Sequence, residues 1–271
     1  MRKASVCAVF GVWVCVCLNI AVCYGNTRFR TGLRNAPGKE QLSVKQLQQV
    51  LQSLRDKTGW QNLFFDEESF LVCPDPAIFN GGSAAARRLL GAALGGADAY
   101  DLESHQNSRA VTFARLAQAV DFESRRTGAK ISAYPLQIDF ADFQQLRGDG
   151  QALKAFDIGL VVLHELGHAV WHLRDAVYAE DEPGECESYI NLIRRELQLP
   201  ERQNYIARVR PGTLNLLAGT RLIAELFFAR TGEKPGTLKP ARFLLQWEAN
   251  VVGAVTDFNW KQKPGLTAAF R

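Results

Sequence analysis

Three of the protein's four histidines, His164, His168 and His172, fall within one short stretch, and Glu165 directly follows the first. Residues four apart on an α-helix lie on one face, one turn above the other. The imidazoles of His164 and His168 can therefore reach one zinc ion through Zn–N bonds of about 2.0–2.1 Å. Glu165 then flanks that face, where a general base must sit to take a proton from a zinc-activated water. Val161 to Leu163 and Ala169 to Trp171 are uncharged, so the helix is apolar nearly all round and should be buried. Unpaired polar groups inside such a helix are costly, and a metal would partner both histidines. The plainer use of the same residues is a core helix whose histidines bond to nearby carbonyls.

A catalytic zinc takes a third protein ligand and keeps one open position. A histidine six residues after His168, with a glycine three residues after it, is one solution. Those positions hold Arg174 and Trp171, so it fails. His172 lies about 12 Å along the axis from His164 on a straight helix, too far to share the ion. A glutamate from the next helix is the other solution. Pro183-Gly184 opens a segment in which Cys186, Ile190, Ile193 and Leu197 fall at helical spacing, with Glu185 and Glu187 flanking that face. Periodicity leaves both glutamates open.

The elements that must hold these groups in place follow from pattern. With 271 residues, 47% hydrophobic, a sizeable core needs no staples, and a net charge of +4 without a basic run argues for no nucleic-acid partner. Arg2 and Lys3 precede an uncharged apolar run from Ala4 to Tyr24, so residues 1–25 read as a secretory signal or an uncleaved anchor. The mature chain is then exported: periplasmic, secreted, or membrane-bound only if that segment stays. Of six cysteines, only Cys73 and Cys186 lie beyond the leader, and they form one disulfide or two free thiols. Residues 26–40 read as a polar linker, and 41–271 as a single domain. Ser43 caps a helix ending near Gly59; Leu63 to Cys73 reads as a strand pair; Ala84 to Leu94 is a second helix. Tyr100–His105 and Val111–Leu116 are short strands. Ile131 to Phe140 alternates apolar and polar residues, and Pro135 places it at a sheet edge or start. Tyr134 to Phe140 is then expected to form the cleft edge, to which a peptide adds as an extra strand. A long buried helix is expected over Leu153–Ala176. Arg221–Ala229 and Ala241–Trp247 look strand-like. His105, outside the cluster, reads as a solvated turn residue or a site-lining one.

The region from about 155 to 205 resembles the gluzincin metallopeptidases, with His-Glu-x-x-His on one helix and a glutamate ligand on the next. In the aminopeptidase branch the gap is 18 residues, as between His168 and Glu187 here. The resemblance implies Glu187 as third ligand, with Glu185 as fallback, and Asn191 as a residue orienting the ligands. Asn191 to Arg202 is similar to a segment of small bacterial effector-type zinc peptidases, although Ile190 stands where those carry a glutamate. Arg202 and Tyr205 resemble the Arg-x-x-Tyr pair that stabilises transition-state charge in clostridial neurotoxin peptidases; the alternative is a surface arginine beside a half-buried tyrosine. The expectation is an α+β, zincin-like domain with a mixed sheet, acting as a zinc peptidase on peptide or protein substrates, with His164, His168 and Glu187 holding the metal and Glu165 as general base. Its rivals are a binding protein or pseudoenzyme with a structural metal on the same scaffold, and an injected toxin.

Overall fold

The first element lies inside the stretch that reads as a linker. In the computed structural model, which describes residues 30–105, 111–123, 128, 130–176, 183–215, 219–230 and 241–249, Gly32–Asn35 form β1, parallel to β4 (Ala99–Ser104). Leu33 is fully buried, and the Asn35 side chain pairs with both backbone groups of Leu42 at 2.9 and 3.2 Å. A four-residue strand in polar surroundings offers too few apolar positions to show a period. The expected leader, residues 1–25, lies outside the described residues.

Helix α1 (Val44–Thr58) starts in a capping box between Ser43 and Gln46 and ends on Gly59 in the left-handed conformation. It buries Val50, Leu51 and Leu54. The hairpin β2 (Phe64–Phe65) and β3 (Leu71–Val72) turns at Asp66, whose carboxylate accepts from the Glu68 and Phe70 amides. Ser83 caps α2 (Ala84–Gly95), where Ala85, Ala86, Leu89, Leu90 and Ala93 face the core.

Strands β5 (Ala114–Leu116) and β6 (Val120–Glu123) both run antiparallel to β7 (Lys130–Ile138), and β4 runs parallel along its other side. The sheet is thus mixed, in the order β1-β4-β7-β5. The strand expected at the edge is central. Pro135 is tolerated because of where it points: its carbonyl accepts from Ala117 N at 2.8 Å. Within a strand, N and O of one residue face the same neighbour, so the missing N–H falls where β5 gives way to β6. The edge beside the long helix is β5.

The chain continues through α3 (Phe140–Gln144), β8 (Arg147–Gly148) and α4 (Gly150–Ala155) into α5 (Ile158–Trp171). The single helix expected over 153–176 is two, because Asp157 starts a new one. Its carboxylate accepts from Leu160 N at 3.0 Å and pairs with Lys57 of α1 at 2.5 Å. Helix α5 packs on α1, α2, α6 (Gly184–Glu196) and β5, burying Leu160, Val162, Leu163, Leu166 and Ala169. It crosses α6 closely at Gly167, where an added Cβ would lie 3.0 Å from Cys186 Sγ.

An antiparallel sheet of β9 (Glu201–Arg202), β10 (Arg208–Asn215), β11 (Gly219–Ala229), β12 (Arg242–Glu248) and β8 completes the described chain. Ala224, Leu226, Phe228, Leu245 and Trp247 bury with Leu146, Ala152, Ala155 and Phe156 in a second core. The architecture is mixed α+β. Cys73 and Cys186 are both free thiols. Among the described residues no helix is long and apolar enough to cross a membrane.

Candidate metal centre

His164 and His168 project from one face of α5, with their Nε2 atoms 3.1 Å apart. The reason is visible on the far side of each ring. His168 Nδ1 lies 2.6 Å from the Leu173 carbonyl, which it can meet only as an N–H donor. His164 Nδ1 lies 3.4 Å from Glu187 Oε2. Each outer partner favours the tautomer that turns an Nε2 lone pair inward. Two lone pairs at 3.1 Å repel unless a proton or a cation lies between them.

The third group at that point is Asp175. Its Oδ1 is 3.2 Å from His164 Nε2 and its Oδ2 3.3 Å from His168 Nε2. Atoms bound at about 2.0–2.1 Å to one tetrahedral ion stand about 3.3 Å from each other, so the three donors fit one small cation. With Cys186 they form a group whose ligand atoms all lie within 4.8 Å of one another and which could hold a metal ion. The Cys186 Sγ points at the His164 carbonyl, 3.2 Å away, and burial raises the thiol's pKa.

Local chain geometry delivers Asp175. Helix α5 ends on His172 in the left-handed conformation, and the next residues fold back. The Arg174 amide donates to Glu185 Oε2 at 3.1 Å, and its carbonyl accepts from Cys186 N at 3.0 Å. Gly184 makes this approach possible: its φ is +71°, and a Cβ there would meet Ala176 N at 2.4 Å and the Asp175 carbonyl carbon at 2.7 Å. Tyr205 completes the enclosure. Its ring stacks on His164 at 5.9 Å, and its hydroxyl donates to Asp175 Oδ2.

The two glutamates expected as alternative ligands are used otherwise. Glu185 holds Arg174 in the return loop. Glu187, 1% exposed, pairs through Oε1 with Arg194 Nη1 and through Oε2 with Arg202 Nη1 at 3.0 Å. It reaches the centre only through His164 Nδ1. Asn191 bridges Arg194 and the Arg202 backbone. The expected Arg202 and Tyr205 are both brought to the site. His105 is not: it donates its amide to Ile138 O at the end of β4. Asp175 and Arg194 escaped the sequence reading. The available signal for Asp175 was an acidic residue seven positions after His168, just past the end of the apolar helix.

Glu165 lies beside the histidines, its Oε2 accepting from Leu116 N of β5 at 2.9 Å. Burial raises its pKa, although both histidines oppose this. Burial would lower the His164 pKa, but Asp175, Cys186 and Glu187 hold it well above its ordinary value. The Asp175 hydrogen bond raises His168. Burial would raise Asp175 and Glu187; hydrogen bonds from both histidines and Tyr205 hold the first down, and Arg194 and Arg202 the second. Burial and Asp175 together push the Tyr205 phenol up. A cavity of about 150 Å³ opens beside His164 and Glu165, walled by Phe113, Phe156, Leu160, Val161 and Ile190, with Arg194, Arg202 and Glu187 also lining it.

No family model, curated protein or solved structure matches the chain.

Proposed function

We propose that the protein is a zincin-like, zinc-dependent peptide hydrolase, with His164, His168 and Asp175 as metal ligands and Glu165 as general base. The observation that carries this reading is the set of mutual distances of 3.1–3.3 Å among the two Nε2 atoms and the Asp175 carboxylate, with a separate carboxylate, Glu165, alongside. Asp175 replaces Glu187 in the ligand set, and Glu187 becomes the carboxylate that orients His164. Zinc, when bound there, would polarise the scissile carbonyl and acidify water.

The chain's own residues supply the rest. Leu116 N–H fixes one oxygen of Glu165, leaving the other to take the proton of the attacking water. As the water oxygen adds to the carbonyl carbon, Glu165 holds that proton; it passes to the leaving nitrogen as the C–N bond breaks. Strand β5 offers the peptide an edge: its outward backbone groups are those of Ala114 and the Leu116 carbonyl, because Phe113 O and Ala117 N face β7 and Leu116 N–H is taken by Glu165. Residues 1–25, as a leader or anchor, would place the activity outside the cytoplasm.

A second reading, a closed structural site in a binding protein or pseudoenzyme, is favoured by Cys186 as a fourth donor. The two separate on metal content and peptide hydrolysis of the purified chain beside Cys186→Ser. A catalytic site keeps its zinc and its rate in that variant; a closed site loses metal, and the wild type cleaves nothing.

A further inference from the structure

Beside Glu165 the cavity is lined by two guanidinium groups that share one carboxylate. Glu187 spends Oε1 on Arg194 and Oε2 on Arg202 and His164. Every nitrogen of Arg202 has a partner: Nε donates to Asn204 O, Nη1 to Glu187 and Nη2 to Tyr205 O. Arg194 differs. Its Nε donates to Ala155 O at 2.8 Å, and Nη1 to Glu187 and Asn191. Its Nη2, with two N–H groups, has no hydrogen-bond partner among the described residues, though the side chain is only 2% exposed. A buried cation needs both a counter-charge and hydrogen bonds. One carboxylate between two guanidiniums supplies half of the charge. A second acid, Asp157, also favours the charge on Arg194 but is paired with Lys57.

We propose that this cavity is a carboxylate pocket, taking an acidic side chain or a chain-terminal carboxylate of the peptide against Arg194 Nη2. A volume of about 150 Å³ is room for a side chain and not merely one water. Phe113, Leu160 and Val161 suit the aliphatic carbons of such a group, and the guanidinium suits its charged end. Burial depresses the Arg194 pKa even beside Glu187, the direction expected of an under-compensated cation. The inference takes its peptide substrate from the hydrolase reading but concerns binding alone.

The test is equilibrium binding by calorimetry to the full chain carrying Glu165→Gln, zinc-loaded and zinc-free. The probes are doubly blocked Ala-Ala-Glu-Ala, its Gln and Leu counterparts, and Ala-Ala-Leu as free acid and as amide. One charge-assisted hydrogen bond predicts a preference of about tenfold or more for Glu over Gln, or for acid over amide, in both metal states. The first contrast identifies a side-chain carboxylate and the second a chain terminus. Arg194→Gln should abolish the preference; if that variant does not fold, the parent panel decides. Equal affinities, tightest binding of the Leu peptide, no binding by any probe, or a preference seen only with zinc would overturn the pocket. If the preference stands while the wild-type chain takes up no zinc and cleaves no peptide, the pocket is kept and the hydrolase reading is removed.

Discussion

His164 meets two carboxylates on opposite ring nitrogens: Asp175 lies 3.2 Å from Nε2, and Glu187 lies 3.4 Å from Nδ1. The side of the ring decides the role. A carboxylate beside Nε2 shares the space in front of His168, while one at Nδ1 orients the ring from behind.

From this geometry His164→Ala, His168→Ala and Asp175→Ala should each abolish stoichiometric zinc, whereas Glu187→Gln should weaken it about 10–100-fold. Calorimetric titration of the chelator-stripped chain checks this. Full zinc in Asp175→Ala together with none in Glu187→Gln would return the third-ligand role to Glu187.

Glu165→Gln should keep zinc and fold while hydrolysis falls by at least about 10²-fold, the lower range for a lost general base. The amide can still accept from Leu116 N but cannot hold a transferred proton. Peptide cleavage measured beside metal content decides, and an unchanged rate removes Glu165 from the chemistry.

Tyr205→Phe retains the ring against His164 but deletes the donor to Asp175. Zinc affinity or kcat should drop about tenfold or more with little change in melting temperature. A variant equal to wild type in both would leave Tyr205 as packing only.

Gly184→Ala replaces no proposed ligand, yet its Cβ would overlap the backbone at Asp175 and Ala176. The expected outcome is lost zinc affinity in a chain that still folds, read by titration and circular dichroism. Wild-type affinity would show that the return loop does not depend on this close approach.

Without zinc, His164 and His168 are raised above 6.5. Their contribution to stability is full below the unfolded value and is lost as pH rises through the folded one. Asp175 and Glu187 are lowered from 3.8 and 4.5, so theirs is present above those values and lost as pH falls. Glu165, raised from 4.5 by burial, adds to the loss at higher pH. The melting temperature of the zinc-free chain should therefore decline above about pH 6.5, while saturating zinc, which requires neutral histidines, should reverse that slope. Parallel curves with and without chelator would contradict the assignment.

Local pattern determined much of this protein. The pairing of His164 with His168, the flanking place of Glu165 and the burial of their helix depend on spacing within one turn, which is the same whatever the helix packs against. The caps at Ser43 and Ser83 and the strand character of residues 130–138 are equally local. Partners distant along the chain were decided only by the tertiary structure. Pro135 restricts one side of a strand, and which side has a neighbour depends on where β5 and β6 dock. Glu185 and Glu187 each fit a helical face, and the crossing of α6 over α5 at Gly167 and Cys186 sends neither to the Nε2 atoms. Asp175 reaches them because a left-handed cap at His172 reverses the chain and Gly184 lets it lie against α6. Helical periodicity ends at such a cap, so the acidic residue past the helix end carried no spacing that marked it as the third donor.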